Sequence, residues 1–223
     1  MRTALTLILT MISVACTDGK ENARAICALV DTSGTYSDER LRAVDLLQRT
    51  LISELRAGDT VILGTIDADS YDPDNIATLA TIGDRPSVAV RQKAAIARAL
   101  TKLAETVKPA KYTDISGGLL LCRDFLSEVK SARPSVLVLS DLVEELKPGH
   151  VRELEPDSLA GLTVTAINVK RMRADRRDPK FYAQRIEAWR TRLAQGGAER
   201  FEVAATREAL ARELTLLPGR AGR

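Results

Sequence analysis

Imidazole and thiol ligands are nearly missing from this chain: its 223 residues include one histidine, His150, and three cysteines, Cys16, Cys27 and Cys122. With a single imidazole no zinc centre of several histidines can form. A Ser-His-Asp relay would rest on one residue in a Lys-Pro-Gly-His turn. An excess of one charge is missing too. The 33 Lys and Arg face 30 Asp and Glu, so the net +3 implies no polyanionic partner by itself. No long linker, internal repeat or low-complexity segment interrupts the chain, and its length fits one domain with a core of ordinary depth. What is present is a soluble-protein composition, 45% hydrophobic and 28% charged.

The N-terminus reads as an address. Met1-Arg2 precedes an uncharged apolar run from Ala4 to Ala15, and Cys16 follows. One positive charge, a short apolar stretch and a small residue before the break describe a secretory signal. The run is shorter than the roughly 20 residues that span a bilayer. Ser13-Val14-Ala15-Cys16 resembles a bacterial lipobox, with Ser13 where that pattern prefers Leu or Val. The resemblance implies that residues 1–15 are removed and that Cys16 is lipidated. Residues 16–22 would be a tether to the membrane, 23–217 a domain and 218–223 a tail. The expected location is the cell envelope facing the periplasm, with a soluble secreted protein as the alternative.

Beyond residue 22, apolar runs and amphipathic stretches alternate. Ala25–Asp31, Thr60–Ile66, Pro134–Asp141, Leu162–Val169 and Arg200–Ala205 read as strands, several of them apolar without interruption as in a sheet covered on both faces. Ile76–Ile82 has the period-2 look of a short edge strand. Between them lie helical stretches: one capped by Ser37 with Leu41, Val44, Leu47, Leu51 and Leu55 on its stripe, and one opened by Arg85-Pro86-Ser87 carrying Ile96, Leu100, Leu103 and Val107. Three more carry Ile115, Leu119, Cys122, Leu126 and Val129; Tyr182, Ile186, Trp189 and Leu193; and, after Thr206, Leu210, Leu214 and Leu217. The alternation predicts an α/β fold: a doubly wound, mostly parallel central sheet with helices on both faces and an edge strand free to run antiparallel.

The first strand ends in Asp31-Thr32-Ser33-Gly34-Thr35, a carboxylate followed by hydroxyls at alternate positions and a glycine that lets the backbone turn. Open α/β sheets bind ligands beyond the carboxyl ends of their strands. Two other stretches offer the same chemistry there: Thr113 in a polar, glycine-bearing loop before a helix, and Asp141 at the end of an apolar strand. All five are oxygen donors. A small hard cation such as Mg²⁺ takes six oxygens at about 2.1 Å, keeps several as water, and is neutralised by two carboxylates.

These residues carry a resemblance to the von Willebrand factor type A domain with its metal-ion-dependent adhesion site. That family's pattern is Asp-x-Ser-x-Ser, then a separate Thr, then a separate Asp after an apolar strand. Here it falls on Asp31, Ser33 and Thr35, on Thr113, and on Asp141, with Thr35 for the usual Ser and Leu142 where many members have Gly. The resemblance implies that hydroxyls bind Mg²⁺ (or Mn²⁺ or Ca²⁺) directly, that one or both carboxylates act through water, and that an acidic residue of a protein partner completes the coordination. It implies an adhesion or scaffold role and no enzymatic activity.

Two rivals remain. Asp31-Thr32-Ser33-Gly34-Thr35 also resembles the nucleophile loop of haloacid dehalogenase-like phosphatases and P-type ATPases, in which a strand-end Asp is phosphorylated beside Mg²⁺. Ser33 stands where those phosphatases carry a general acid, and Asp141 has no neighbouring carboxylate before Glu144 and Glu145. The other rival is a structural domain with no working metal. Each ligand position also has a plain role, as a turn, helix cap or strand end. Between Lys170 and Arg192 basic residues outnumber acidic ones, which reads as a solvated helix and its loop, or as a contact with anionic headgroups or an acidic partner. Tyr182 and Trp189 belong to the core stripe there, so no nucleic-acid surface is expected. Export would permit a disulfide between Cys27 and Cys122, and both also read as small core residues; the bond is the less expected of the two, because a central strand and a packing helix rarely bring Cα atoms within disulfide range.

Overall fold

The computed structural model describes residues 23–106, 108–129 and 134–216. The signal segment, Cys16, the tether, Val107, Leu217 and the tail lie outside the described residues. In chain order the elements are β1 (Ala25–Asp31), α1 (Ser37–Glu54), β2 (Thr60–Ile66), β3 (Ile76–Thr81), α2 (Pro86–Thr106), α3 (Ile115–Glu128), β4 (Ser135–Leu139), β5 (Thr163–Ile167), α4 (Arg173–Arg177), α5 (Lys180–Gln195), β6 (Arg200–Ala204) and α6 (Arg207–Leu216).

The sheet runs β3-β2-β1-β4-β5-β6. β1 pairs in parallel with β2 and β4, β4 with β5, and β5 with β6, while β3 pairs antiparallel with β2. This is the doubly wound α/β arrangement, antiparallel edge included. Alternate residues of each strand feed two cores. Ile26, Ala28 and Val30 of β1 join Leu47 and Leu51 of α1, Ile96 and Leu100 of α2, and Leu210 and Leu214 of α6. Cys27 and Leu29 join Leu119 and Leu126 of α3 and Trp189 and Leu193 of α5. With apolar packing on both faces, β1 and β4 have no polar side to show, and all of their residues are buried.

Two local expectations fail at α1. Leu41 is 56% exposed, and Arg40 is the buried residue one position earlier, in step with Ala43, Val44 and Leu47. Ser37 does not cap the helix: Tyr36 is the N-cap residue and the Ser37 hydroxyl donates to the Gly34 carbonyl at 2.8 Å. At the far end of the sheet a buried ion pair joins Arg24 to Asp59, and the same guanidinium donates to the carbonyls of Glu54 and Leu214. It closes the core below β1 with donors and acceptors matched.

The two core cysteines are joined. Cys27 of β1 and Cys122 of α3 form a disulfide with Cα atoms 5.8 Å apart, inside the range expected to be rare for a strand and a helix. The cause is the glycine pair in the first turns of α3. A Cβ on Gly118 would stand 3.1 Å from Leu29 Cδ1, so the absence of a side chain lets the helix ride close over β1. Cys122 follows Gly118 by one turn and shares its face, and Cys27 shares the face of Leu29, so the close approach at one pair delivers the other.

The bond spans 95 residues. Thiol counting on the denatured, unreduced protein is expected to find Cys27 and Cys122 blocked. Reduction is expected to lower unfolding stability by about 2–4 kcal/mol in denaturant titrations. Two free thiols before reduction would contradict the linkage.

Candidate metal-binding crevice

The sheet order places a crevice at one position. From β1 the chain leaves through α1 to β2 on one side; from β4 it leaves to β5 on the other. Where neighbouring parallel strands send their connections in opposite directions, the loops part and open a cleft at the carboxyl ends. The loop after β1 holds Asp31, Ser33 and Thr35. The segment after β4 holds Asp141, two residues beyond the Val30–Leu139 pairing.

The third loop, with Thr113, is laced to both. The Ala110 amide donates to the Thr32 carbonyl at 2.9 Å, beside a bridge between Ser33 and Ala110. Thr113 and Glu145 exchange two backbone bonds, 2.7 and 3.0 Å, which tie that loop to the segment of Asp141. Asp31, Ser33, Thr113 and Asp141 are buried, and Thr35 is exposed at the lip. The structure thus gathers the three loops at the carboxyl ends of the two central strands.

Each donor's surroundings follow from its neighbours. Asp31 Oδ1 accepts from the Ser33 amide at 2.7 Å, and Oδ2 accepts from the Ser140 hydroxyl at 2.5 Å. Ser33 Oγ and Thr35 Oγ1 lie 3.1 Å apart, close enough to serve one small ligand. Asp141 Oδ1 accepts from the Val143 amide at 2.9 Å, but its Oδ2 is buried with no hydrogen-bond partner. The Thr113 hydroxyl makes no hydrogen bond to the described residues. Asp114 takes the capping role at α3, accepting from the Gly117 amide at 2.7 Å.

A buried carboxylate oxygen without a donor costs free energy. Burial raises the proton affinity of Asp31; the negative charge of Asp141 adds to the rise, while bonds from Ser140 and Ser33 oppose it. Two carboxylates and three hydroxyls at the carboxyl ends of the central strands, one oxygen unpaired and one acid disfavoured as an anion, are a donor set of the chemistry a hard divalent cation takes. Among the described residues no three His, Cys, Asp or Glu side chains gather as a metal-holding group, so any protein ligands beyond the two carboxylates would be hydroxyls.

Several supporting residues escape sequence reasoning. Arg40 is 4% exposed, and its guanidinium donates to the carbonyls of Asp31 (2.9 Å) and Ser33 (3.2 Å), bracing the loop from beneath. Its signal was a charge in step with an apolar stripe. Ser140 stands beside Asp141 in the sequence and orients Asp31; no spacing rule would have singled it out. Leu142 takes a left-handed conformation, φ 60°, in which its amide meets Ser140 Oγ at 3.0 Å and its carbonyl accepts from Trp189 Nε1 at 2.9 Å. The glycine usual at that position in the resembled family suits this backbone; here packing and two hydrogen bonds hold a leucine in it. Glu144 accepts from the Ser116 amide at 2.7 Å and pairs with Arg192, which commits it to holding α3. His150 is exposed in the loop after β4.

No protein-family model and no curated protein sequence matches the chain. Solved structures share its fold. It superposes on the manganese-loaded TRAP protein of Plasmodium vivax with a TM-score of 0.53 at 16% identity, over 89% of this chain and 74% of that one. On an aerotolerance-related membrane protein from Bacteroides fragilis the TM-score is 0.53 at 12% identity, over 87% and 98%. On the PilB minor pilin from Streptococcus sanguinis it is 0.51 at 14% identity, and this chain covers 60% of the pilin. At these identities the likeness is one of fold, a doubly wound α/β domain with a mostly parallel sheet.

The raised proton affinity of Asp31 has a signed consequence. The native state keeps that proton to higher pH than the unfolded chain, so metal-free stability falls as pH climbs from the ordinary carboxylate value through the raised one. Asp31→Asn cannot ionise. In EDTA at pH 7.5 it is expected to melt above the parent, with the gap closing toward pH 4. A variant less stable than the parent in EDTA at pH 7.5 would contradict a strained buried carboxylate.

Proposed function

We propose that this chain is an exported, non-enzymatic protein-binding domain that captures its partner through a divalent cation, Mg²⁺ or a similar hard ion. Asp31, Ser33, Thr35, Thr113 and Asp141 are the proposed donors. The observation that carries the reading is the buried, unpartnered Asp141 Oδ2 beside an Asp31 whose anionic form is disfavoured. A cation satisfies both at once, and no side-chain cation among the described residues hydrogen-bonds to either carboxylate.

When bound, the ion supplies a Lewis-acidic position at which a carboxylate oxygen from outside can complete the coordination. The chain's own residues do the rest. Asp31 and Asp141 supply negative charge, held in place by Ser33, Ser140 and Val143. The Ser33, Thr35 and Thr113 hydroxyls offer neutral oxygens, which add no further negative charge facing an acidic partner. Arg40 and the backbone lacing keep the three loops from drifting. Thr35, exposed at the lip, marks the side from which a partner would approach.

The reading gains support from a manganese-loaded protein and a pilin among the structures of similar fold. The Cys27–Cys122 disulfide suits an oxidising compartment, as the proposed export and lipid anchoring at Cys16 require. No helix among the described residues is long and apolar enough to cross a membrane. The phosphatase alternative is weakened at Ser33, a hydroxyl where those enzymes carry a general acid. Glu144, an acid near Asp141, is committed to Ser116 and Arg192.

Calorimetric titration with Mg²⁺ and Mn²⁺ tests the proposal. At about 100 times Kd a single site adds about 2.7 kcal/mol of stability, which for a domain of this size raises Tm by roughly 5–10 °C. Asp141→Ala is expected to abolish both heat and shift, and Thr113→Ala to weaken affinity about tenfold. Absence of heat and of any melting shift in the parent would leave a structural domain without a working metal. Magnesium-dependent turnover of an aryl phosphate, lost in Asp31→Asn, would replace the proposal with an enzyme.

A further inference from the structure

The lip of the crevice continues into a groove of about 700 Å³ lined by Gly34 and Thr35 of the β1–α1 loop, by Ser37 and Asp38 of α1, and by the segment Lys170–Ala174 with Arg176. Its charge is one-sided: Lys170, Arg171, Arg173 and Arg176 against Asp38. Two of the cations are engaged. Lys170 bonds to Asp38 and to the Thr35 carbonyl, and Arg171 stacks over the Tyr182 ring at 4.5 Å. Arg173 and Arg176 are exposed and make no ion pair among the described residues.

The sign of this wall is set from inside. Asp175, the acid of α4, is 2% exposed, accepting from the Met172 amide at 2.7 Å and from Arg185 at 2.7 Å. That pair holds its carboxyl below the ordinary range and fixes α4 against α5. With the acid turned inward, the charged residues that α4 leaves exposed are the arginines Arg173, Arg176 and Arg177. The one acid facing the groove from α1, Asp38, is neutralised by Lys170.

Resting on the metal-binding reading above, we propose that the groove takes a second acidic side chain of the same partner. The partner then presents a segment with two carboxylates, one toward the ion at Ser33 and Thr35 and one between Arg173 and Arg176. Continuity carries the argument. Thr35 belongs both to the donor set and to the groove wall, and its hydroxyl lies 3.1 Å from that of Ser33, so one short peptide can touch both. Two free guanidiniums match carboxylates in charge and in bidentate geometry. A concave groove that starts at the crevice fits a chain segment better than a planar layer of lipid headgroups.

Fluorescence anisotropy with fluorescein-labelled decapeptides tests this, using one Asp in a Gly-Ser background and the same peptide with a second Asp at three to six residues' spacing. The full domain is used, with Mg²⁺ or with EDTA. The two-acid peptide is expected to bind the parent about three- to tenfold more tightly than the one-acid peptide. That advantage should disappear in Arg173→Ala/Arg176→Ala, return in Arg173→Lys/Arg176→Lys, and shrink with added salt. Unchanged melting curves establish that the variants fold. Equal binding of the two peptides by the parent, or an advantage that survives the double alanine variant, would overturn the proposal. So would arginine-dependent binding to phosphatidylglycerol vesicles without any two-acid advantage. The metal reading is scored separately, by the ratio between Mg²⁺ and EDTA for each peptide. Loss of that ratio with the arginine effect intact would overturn the metal site and retain the groove.

Discussion

The structure turns on the burial of two carboxylates, Asp31 and Asp141, at the point where β1 and β4 send their connections in opposite directions. A carboxylate at the end of a buried strand has left water without a cation hydrogen-bonded to its oxygens. Asp31 is partly compensated by Ser33 and Ser140, and Asp141 by Val143, yet one Asp141 oxygen is left over and the charge of Asp141 adds to the raised proton affinity of Asp31. Such a pair survives only if the surrounding fold forces it. The forcing elements are the fully buried β1 and β4 and the three loops tied together by backbone bonds through Thr32, Ala110, Thr113 and Glu145.

That rigidity is built on small residues and on one crosslink. Gly118 brings α3 against Leu29, and the disulfide one turn later fixes the approach. Gly117 admits the Asp114 cap, since a Cβ there would stand 2.2 Å from Asp114 Oδ2. With Asp114 capping the start of the helix, Thr113 is spared that role. On the opposite face Arg40 reaches up from α1 to the carbonyls of Asp31 and Ser33. Leu142, held left-handed by Ser140 and Trp189, transmits the position of α5 to the residue after Asp141. The core therefore determines the placement of the loops, with little left to the loops themselves.

Much of this was legible in the sequence because it follows from period and composition. Uninterrupted apolar runs ending in Asp marked β1 and β4, and alternation with helical stripes marked the doubly wound sheet. The period-2 stretch at Ile76 marked the antiparallel edge. What failed depended on contacts between distant residues. Leu41 and Arg40 exchange their expected places because the guanidinium has carbonyls to meet at the end of β1, which helical spacing alone does not reveal. The Cys27–Cys122 bond needed the close approach at Gly118, a property of the packed pair. Ser140 and Leu142 act through hydrogen bonds formed only once β4, α5 and the first loop are assembled. The inward turn of Asp175, which leaves α4 with a basic surface, was hidden in a stretch that read only as generally basic.

The central claim is that the crevice between β1 and β4 holds a divalent cation on two carboxylates and three hydroxyls. Anomalous diffraction from crystals of the domain grown with Mn²⁺ tests it most directly. The account predicts one strong manganese peak bounded by Asp31, Ser33, Thr35, Thr113 and Asp141, with Ser33 and Thr35 oxygens at about 2.1–2.3 Å and at least one water on the open side. Saturating Mn²⁺ with no peak there, or a peak held by other residues, would contradict it.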